Sequence, residues 1–151
     1  MVIDASAIIA LLNREARAGD VAAAIEAHRR GGGQLFIAPT GLFESVLGLA
    51  RARTANDRKP KVEQISKARE AVDALIADLK IEEVPCEGAT ARKAIDAAAR
   101  FGLAVGHPAQ LNFGDCFAYA AALERRAKLL FIGNDFSRTD AASAIKDAGA
   151  G

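Results

Sequence analysis

Four short strand-like segments, each leading into a stretch of helical periodicity, leave this chain few ways to fold. They are Val2-Ile3, Leu35-Phe36-Ile37, residues 81–84 and residues 129–132. Helical spacing is predicted between them over residues 5–12, 17–30, 41–53, 61–79, 90–101 and 113–126. Strands separated by helices pair in parallel, and short apolar runs suit a sheet buried on both faces. The pattern predicts a single α/β domain over residues 1–148. Its central parallel sheet has about four short strands, with helices on both faces.

Local signals set the boundaries. Gly31-Gly32-Gly33 stops the second helix, and Pro39 closes the second strand. Thr40 is expected to cap helix 41–53, and Asn112 to cap helix 113–126. Gly102 suits a helix C′ position. Residues 56–60 form a polar break, 103–111 a loop and 133–139 a turn. A last helix is expected over residues 140–148, followed by a frayed tail at 149–151.

Composition narrows the function. The chain of 151 residues has a formal net charge of +1, so affinity for nucleic acid must come from local clusters. Two exist: Arg51, Arg53, Arg58, Lys59 and Lys61, then Arg125, Arg126 and Lys128. For any single one of these residues a solvated helix end or loop is the preferred reading. No apolar run approaches the roughly 20 residues that span a bilayer. The first residues lack the basic and apolar regions of a signal peptide, so a cytoplasmic location is expected. Cys86 and Cys116 fit no metal spacing and are expected to be reduced and buried or half-buried. His28 and His107 adjoin no acidic motif and read as structural.

Chemistry points to four acids. In open parallel sheets, sites form at the carboxyl ends of the strands. Asp4 directly follows the first strand, and Asp135 follows the last by three residues. Glu44 is one turn into the helix after the second strand, and Asp115 is in the first turn of its own. Four converging carboxylates would repel one another and call for a divalent cation. Each also has a plainer reading. Asp4 can cap a helix, Asp115 can complete a capping box with Asn112, and Asp135 suits a turn. Glu44 lies at the margin of an apolar arc. Gly48 shares its stripe and leaves space there, and Arg51 is either an ion-pair partner or a phosphate-binding residue.

Residues 1–10, with Asp4 and then Ser6 in Asp-Ala-Ser, resemble the start of a PIN-domain protein. Asn112-Phe113-Gly114-Asp115-Cys116 resembles the third acidic motif of VapC-type toxins from type II toxin–antitoxin systems. Asp135-Phe136-Ser137-Arg138-Thr139-Asp140 resembles their fourth. Glu44 stands where that family has its glutamate. The resemblance runs from Val2 to Asp140. It implies a metal-dependent endoribonuclease, the toxin half of a pair. Its partners would be an RNA substrate, a cognate small antitoxin and a second copy in a homodimer or hetero-oligomer. Asp4, Glu44, Asp115 and Asp135 match the acidic set, with Ser6 supporting the first Asp and Asn112 ahead of the third motif. This subgroup often has Gly-Asp-Asp-Phe where Gly133-Asn134-Asp135-Phe136 stands here. Asn134 is then a neutral oxygen ligand at best, and Asp140 is a further candidate for the fourth acid.

Carboxylate oxygens suit Mg2+ or Mn2+ and not soft metals. Asp4 and Asp115 would hold a first ion. Glu44 and Asp135 would hold a second or orient the attacking water, and Arg51 and Arg53 would track the RNA backbone. Two rivals remain open. One is a non-catalytic PIN-like module that binds RNA or protein. The other is a phosphatase of the haloacid dehalogenase class, which wants Asp-x-Asp where this chain has Ser6.

Overall fold

A computed structural model of the chain describes residues 1–54 and 59–145. The strands are β1 (Val2–Ile3), β2 (Phe36–Ile37), β3 (Glu82–Glu83) and β4 (Leu129–Leu130). The helices are α1 (Ala5–Asn13), α2 (Ala18–Arg30), α3 (Pro39–Ala52), α4 (Val62–Asp78), α5 (Gly88–Phe101) and α6 (Phe113–Glu124). Short 3-10 turns cover Leu103–Val105 and Phe136–Arg138. The sheet runs β3-β2-β1-β4, every pair parallel, with Val2 in register with both Phe36 and Leu129.

Side chains that alternate along the strands feed two cores, because successive Cβ atoms point to opposite faces. Met1, Ile3, Leu35, Ile37 and Leu130 enter one core with Ile8, Val21, Leu49 and Val72. Val2, Leu129 and Phe131 enter the other with the alanines of α5 and α6. Burying each of Ile3, Ile37, Leu49 and Leu130 contributes roughly 1.5–3 kcal/mol. The small side chains of α6, Ala118 and Ala120 to Ala122, are all buried and let that helix lie close to the sheet and to α5. At β3 the exposed Glu82 and Glu83 put charge on an edge strand, which discourages pairing with another chain.

The order of the sheet places the site. The chain moves outward from β1 through β2 to β3, then returns to add β4 on the other side of β1. Helices flanking such a reversal diverge to opposite faces and leave a crevice at the carboxyl edge. That edge is the end of β1, where Asp4 stands.

Several boundaries differ from expectation. Helix α3 begins at Pro39, and its N-cap Ala38 gives no side-chain bond. Proline at the first helical position presets φ and has no N–H to satisfy, so no capping side chain is needed. Thr40 therefore lies inside the helix, its hydroxyl buried without a partner. Gly102 ends α5 in an extended conformation, φ −77°, not as a left-handed C′ residue. A Cβ there would run into the carbonyl of Ala98. Residues 141–145 are not helical. Ser143 bridges Leu129 in parallel, the Leu129 amide donating to Ala142 O at 2.8 Å and the Ala144 amide to Leu129 O at 2.9 Å. Pairing beside β4 satisfies backbone groups that a helix would have turned inward. Residues 146–148 of the expected helix, the tail at 149–151, Arg58 and most of the polar break lie outside the described residues. Cys116 is buried, whereas Cys86 is exposed, in the linker that follows the edge strand β3. No described helix is long and apolar enough to cross a membrane.

Candidate functional site

Asp4 sits where β1 becomes α1. It is the N-cap, 5% exposed, and its Oδ2 accepts from the Ser6 amide at 2.9 Å and from Ser6 Oγ at 2.5 Å. Ser6 Oγ in turn accepts from the Ile132 amide at 3.0 Å, so one hydroxyl joins the chain after β1 to the chain after β4. Asp115 sits in the first turn of α6, 7% exposed. Its Oδ2 accepts from the Asn112 amide at 2.8 Å, while Asn112 Oδ1 accepts from the Asp115 amide at 3.1 Å. Both plainer readings therefore hold: Asp4 caps α1, and Asp115 completes a capping box. Neither role uses up a carboxylate, which has about four lone-pair sites.

Glu44 is half-buried on α3, and Asp135 is exposed on the turn after β4. The charges of these acids reach one another. Burial raises the Asp4 carboxyl above its usual range, and Asp135 adds to this. Burial also raises Glu44, with Asp4 adding. Asp115 is pushed up to about 7, mainly by burial, with Asp4, Asp135 and Glu44 all contributing against the bond from Asn112. None of the four forms an ion pair with Lys or Arg among the described residues. Arg51, exposed on α3, does not neutralise Glu44, and Arg53 donates from Nη2 to Leu12 O at 2.7 Å.

The turn that carries Asp135 depends on Gly133, whose φ of 110° side chains rarely adopt. Asn134, exposed on this turn, accepts through its backbone carbonyl from the Ser137 amide at 3.2 Å and from Ser137 Oγ at 2.6 Å. Asp140 is engaged elsewhere. It accepts from Tyr119 at 2.5 Å and from Arg100 at 2.8 Å, and these partners hold its carboxyl below the usual range. It is not among the charges acting on Asp4, Glu44 or Asp115. The structure thus groups Asp4, Glu44, Asp115 and Asp135 and leaves Asp140 as a tie between α5, α6 and the C-terminal segment.

Both histidines serve the fold. His28 Nε2 lies 3.2 Å from the Met1 amino group and 3.0 Å from Gln34 O, and His107 Nδ1 accepts from the Ala109 amide at 3.1 Å. The space at Gly48 is filled by Ile9 of α1, not by the Glu44 carboxylate. Sequence reasoning missed Gly114, against whose Cα the Glu44 carboxylate rests. The one available signal was an isolated glycine directly ahead of Asp115 in a segment of helical pattern.

The donor set is all hard oxygen. Two of its carboxylates, Asp4 and Asp115, are buried without a cationic partner among the described residues, and such a set suits a divalent ion of the Mg2+ class. Among the described residues, no three acidic, histidine or cysteine side chains draw in closely enough to form a ready metal site. The group is a set of mutually repelling carboxylates around an open edge, not a closed cage.

The family model for the PIN domain matches residues 1–142. The chain is 41% identical over 140 residues to a VapC ribonuclease of Rhizobium meliloti, covering 91% of this chain and 96% of that protein. It is 36% identical over 145 residues to ribonuclease VapC28 of Mycobacterium tuberculosis, covering 96% and 98%. Ribonuclease VapC42 of the same species is 33% identical over 140 residues, covering 93% and 95%.

Proposed function

The chain belongs to the PIN-domain family and, within it, to the VapC ribonucleases, and on that footing we propose that it is the toxin of a toxin–antitoxin pair, a cytoplasmic Mg2+- or Mn2+-dependent endoribonuclease. The observation that carries this reading is the shared electrostatic neighbourhood of Asp4, Glu44, Asp115 and Asp135 at the carboxyl edge of β1, with no ion pair to a basic side chain among the described residues.

Asp4 and Asp115 would hold one divalent ion, and Glu44 with Asp135 would hold a second or orient the attacking water. A divalent ion held there would supply positive charge against the phosphodiester and lower the pKa of a nearby water. The protein's own part is to fix the ligands. Ser6 fixes the rotamer of Asp4, and the Asn112 amide fixes that of Asp115. Hydrolysis would break the bond from phosphorus to the 3′ oxygen, leaving a 5′-phosphate and a 3′-hydroxyl. Exposed Arg51, with the free donors of Arg53, would track the RNA backbone.

Two apolar surfaces support the proposed partners. Leu11, Ile25, Leu75 and Leu79 line a groove between α1, α2 and α4, with Arg29 and Arg30 at its rim, and an amphipathic antitoxin helix suits it. On this reading the antitoxin helix would lie against α2, between α1 and α4. Exposed Ile95, Leu103 and Phe113 on the other face suit a second copy of the chain.

One observation favours a non-catalytic module: among the described residues no three carboxylates are drawn together as a metal site. Expression in a bacterium separates the two readings. The unmodified chain should arrest growth and degrade RNA, and Asp4→Asn and Asp115→Asn should abolish both effects. Intact RNA in cells that make the unmodified chain would leave only the binding module.

A further inference from the structure

Gly114 is the second residue of α6, in its first turn, where alanine would leave the unfolded chain fewer conformations than glycine does. Backbone conformation does not explain it, because the described glycines with positive φ are Gly32, Gly106 and Gly133. What its missing side chain leaves is room. A Cβ at this position would stand closer than 3.0 Å to Glu44 Oε1, Cδ and Oε2 at once, a separation that real Cβ atoms essentially never show. The three nearest obstructing atoms all belong to the far end of a flexible side chain, so an added methyl would displace the carboxylate and not the helix.

We infer that Gly114 is a positioning residue whose bare Cα seats the Glu44 carboxylate beside Asp115. Glu44 and Asp115 come from different helices, α3 and α6, and no hydrogen bond joins them among the described residues. The contact across Gly114, the residue directly before Asp115, sets how closely the two carboxylates approach. What glycine provides at this position is the space that the Glu44 carboxylate occupies. Stability and metal binding should therefore respond to its replacement with opposite signs. The inference rests on the proposed metal-dependent activity.

The test compares purified parent, Gly114→Ala, Glu44→Asp and the double variant, by thermal unfolding without metal, Mn2+ titration calorimetry and RNA cleavage. Gly114→Ala should unfold no earlier than the parent, bind Mn2+ at least about tenfold more weakly and cleave more slowly. Glu44→Asp, one methylene shorter, should lose less in the Gly114→Ala background than in the parent, because its carboxylate no longer meets the methyl. Parent-like Mn2+ binding by Gly114→Ala, or strictly additive losses in the double variant, would overturn the inference while leaving the proposed function standing. A parent chain that binds no Mn2+ would remove the proposed function and the inference together.

Discussion

Ser6 Oγ donates to Asp4 Oδ2 at 2.5 Å while accepting the amide of Ile132 at 3.0 Å. This hydroxyl does two things at once. It fixes the orientation of the most buried acid of the site, and it ties together the ends of two adjacent parallel strands whose residues lie 126 positions apart.

Removing it should therefore register twice. Ser6→Ala leaves the Ile132 amide without its partner and should cost about 1–3 kcal/mol in denaturant unfolding. It should also weaken Mn2+ binding about 10- to 100-fold by calorimetry, because Asp4 loses the group that orients it. A stability loss with unchanged Mn2+ affinity would confine Ser6 to the fold.

The metal-free chain should lose stability as pH rises. The Asp115 carboxyl titrates near 3.8 when unperturbed but is held up to about 7 in the fold. Between those values the folded state binds more protons than the unfolded state, so stability falls across the window and levels off above it. Burial of Asp4 and Glu44 acts in the same direction. Thermal unfolding in chelator should show Asp115→Asn more stable than the parent at pH 8, the gap closing toward pH 4. Added Mn2+ should reverse the order for the parent, since metal competes with the proton.

Much of this arrangement was legible in the sequence, for physical reasons. The strands are short, but each is bounded by a helix or a turn residue, so the parallel pairing and the placement of Asp4 directly after β1 followed from spacing, whereas the order β3-β2-β1-β4 did not. The Asn112–Asp115 box was legible because its partners are three residues apart. What could not be read depends on contacts distant in sequence. Gly48 looked like space for Glu44, but Ile9 arrives from α1 to fill it, and the space that matters is at Gly114 on α6. Asp140 looked like a fourth acid until Tyr119 and Arg100 were found to hold it. The helix expected from residue 140 yielded to pairing with β4, which no local periodicity signals.

Asp140 and Asp135 should consequently separate. Asp140→Asn should lower the unfolding midpoint slightly, through its ties to Tyr119 and Arg100, and leave RNA cleavage near the parent rate. Asp135→Asn should do the reverse, with Mn2+ affinity and cleavage reduced and the midpoint unchanged or raised. Equal cleavage by both variants would return Asp140 to the site.

The two arginines should separate as well. Arg51→Ala, on an exposed side chain, should weaken RNA binding at low salt and reduce the slope of log affinity against log salt by about 1. Its unfolding midpoint should not move. Arg53→Ala also removes the bond to the Leu12 carbonyl and should lower the midpoint. Filter binding across a salt series, with unfolding in parallel, reads both.

The central claim is that the four carboxylates form a metal-dependent phosphodiesterase site. Its most direct test is cleavage of end-labelled RNA by the purified chain, with Mn2+ or with chelator, beside Asp4→Asn and Asp115→Asn. The account predicts cleavage only with Mn2+, fragments bearing 5′-phosphate and 3′-hydroxyl ends, and no cleavage by either variant. Cleavage that persists in chelator, or in both variants, would contradict it.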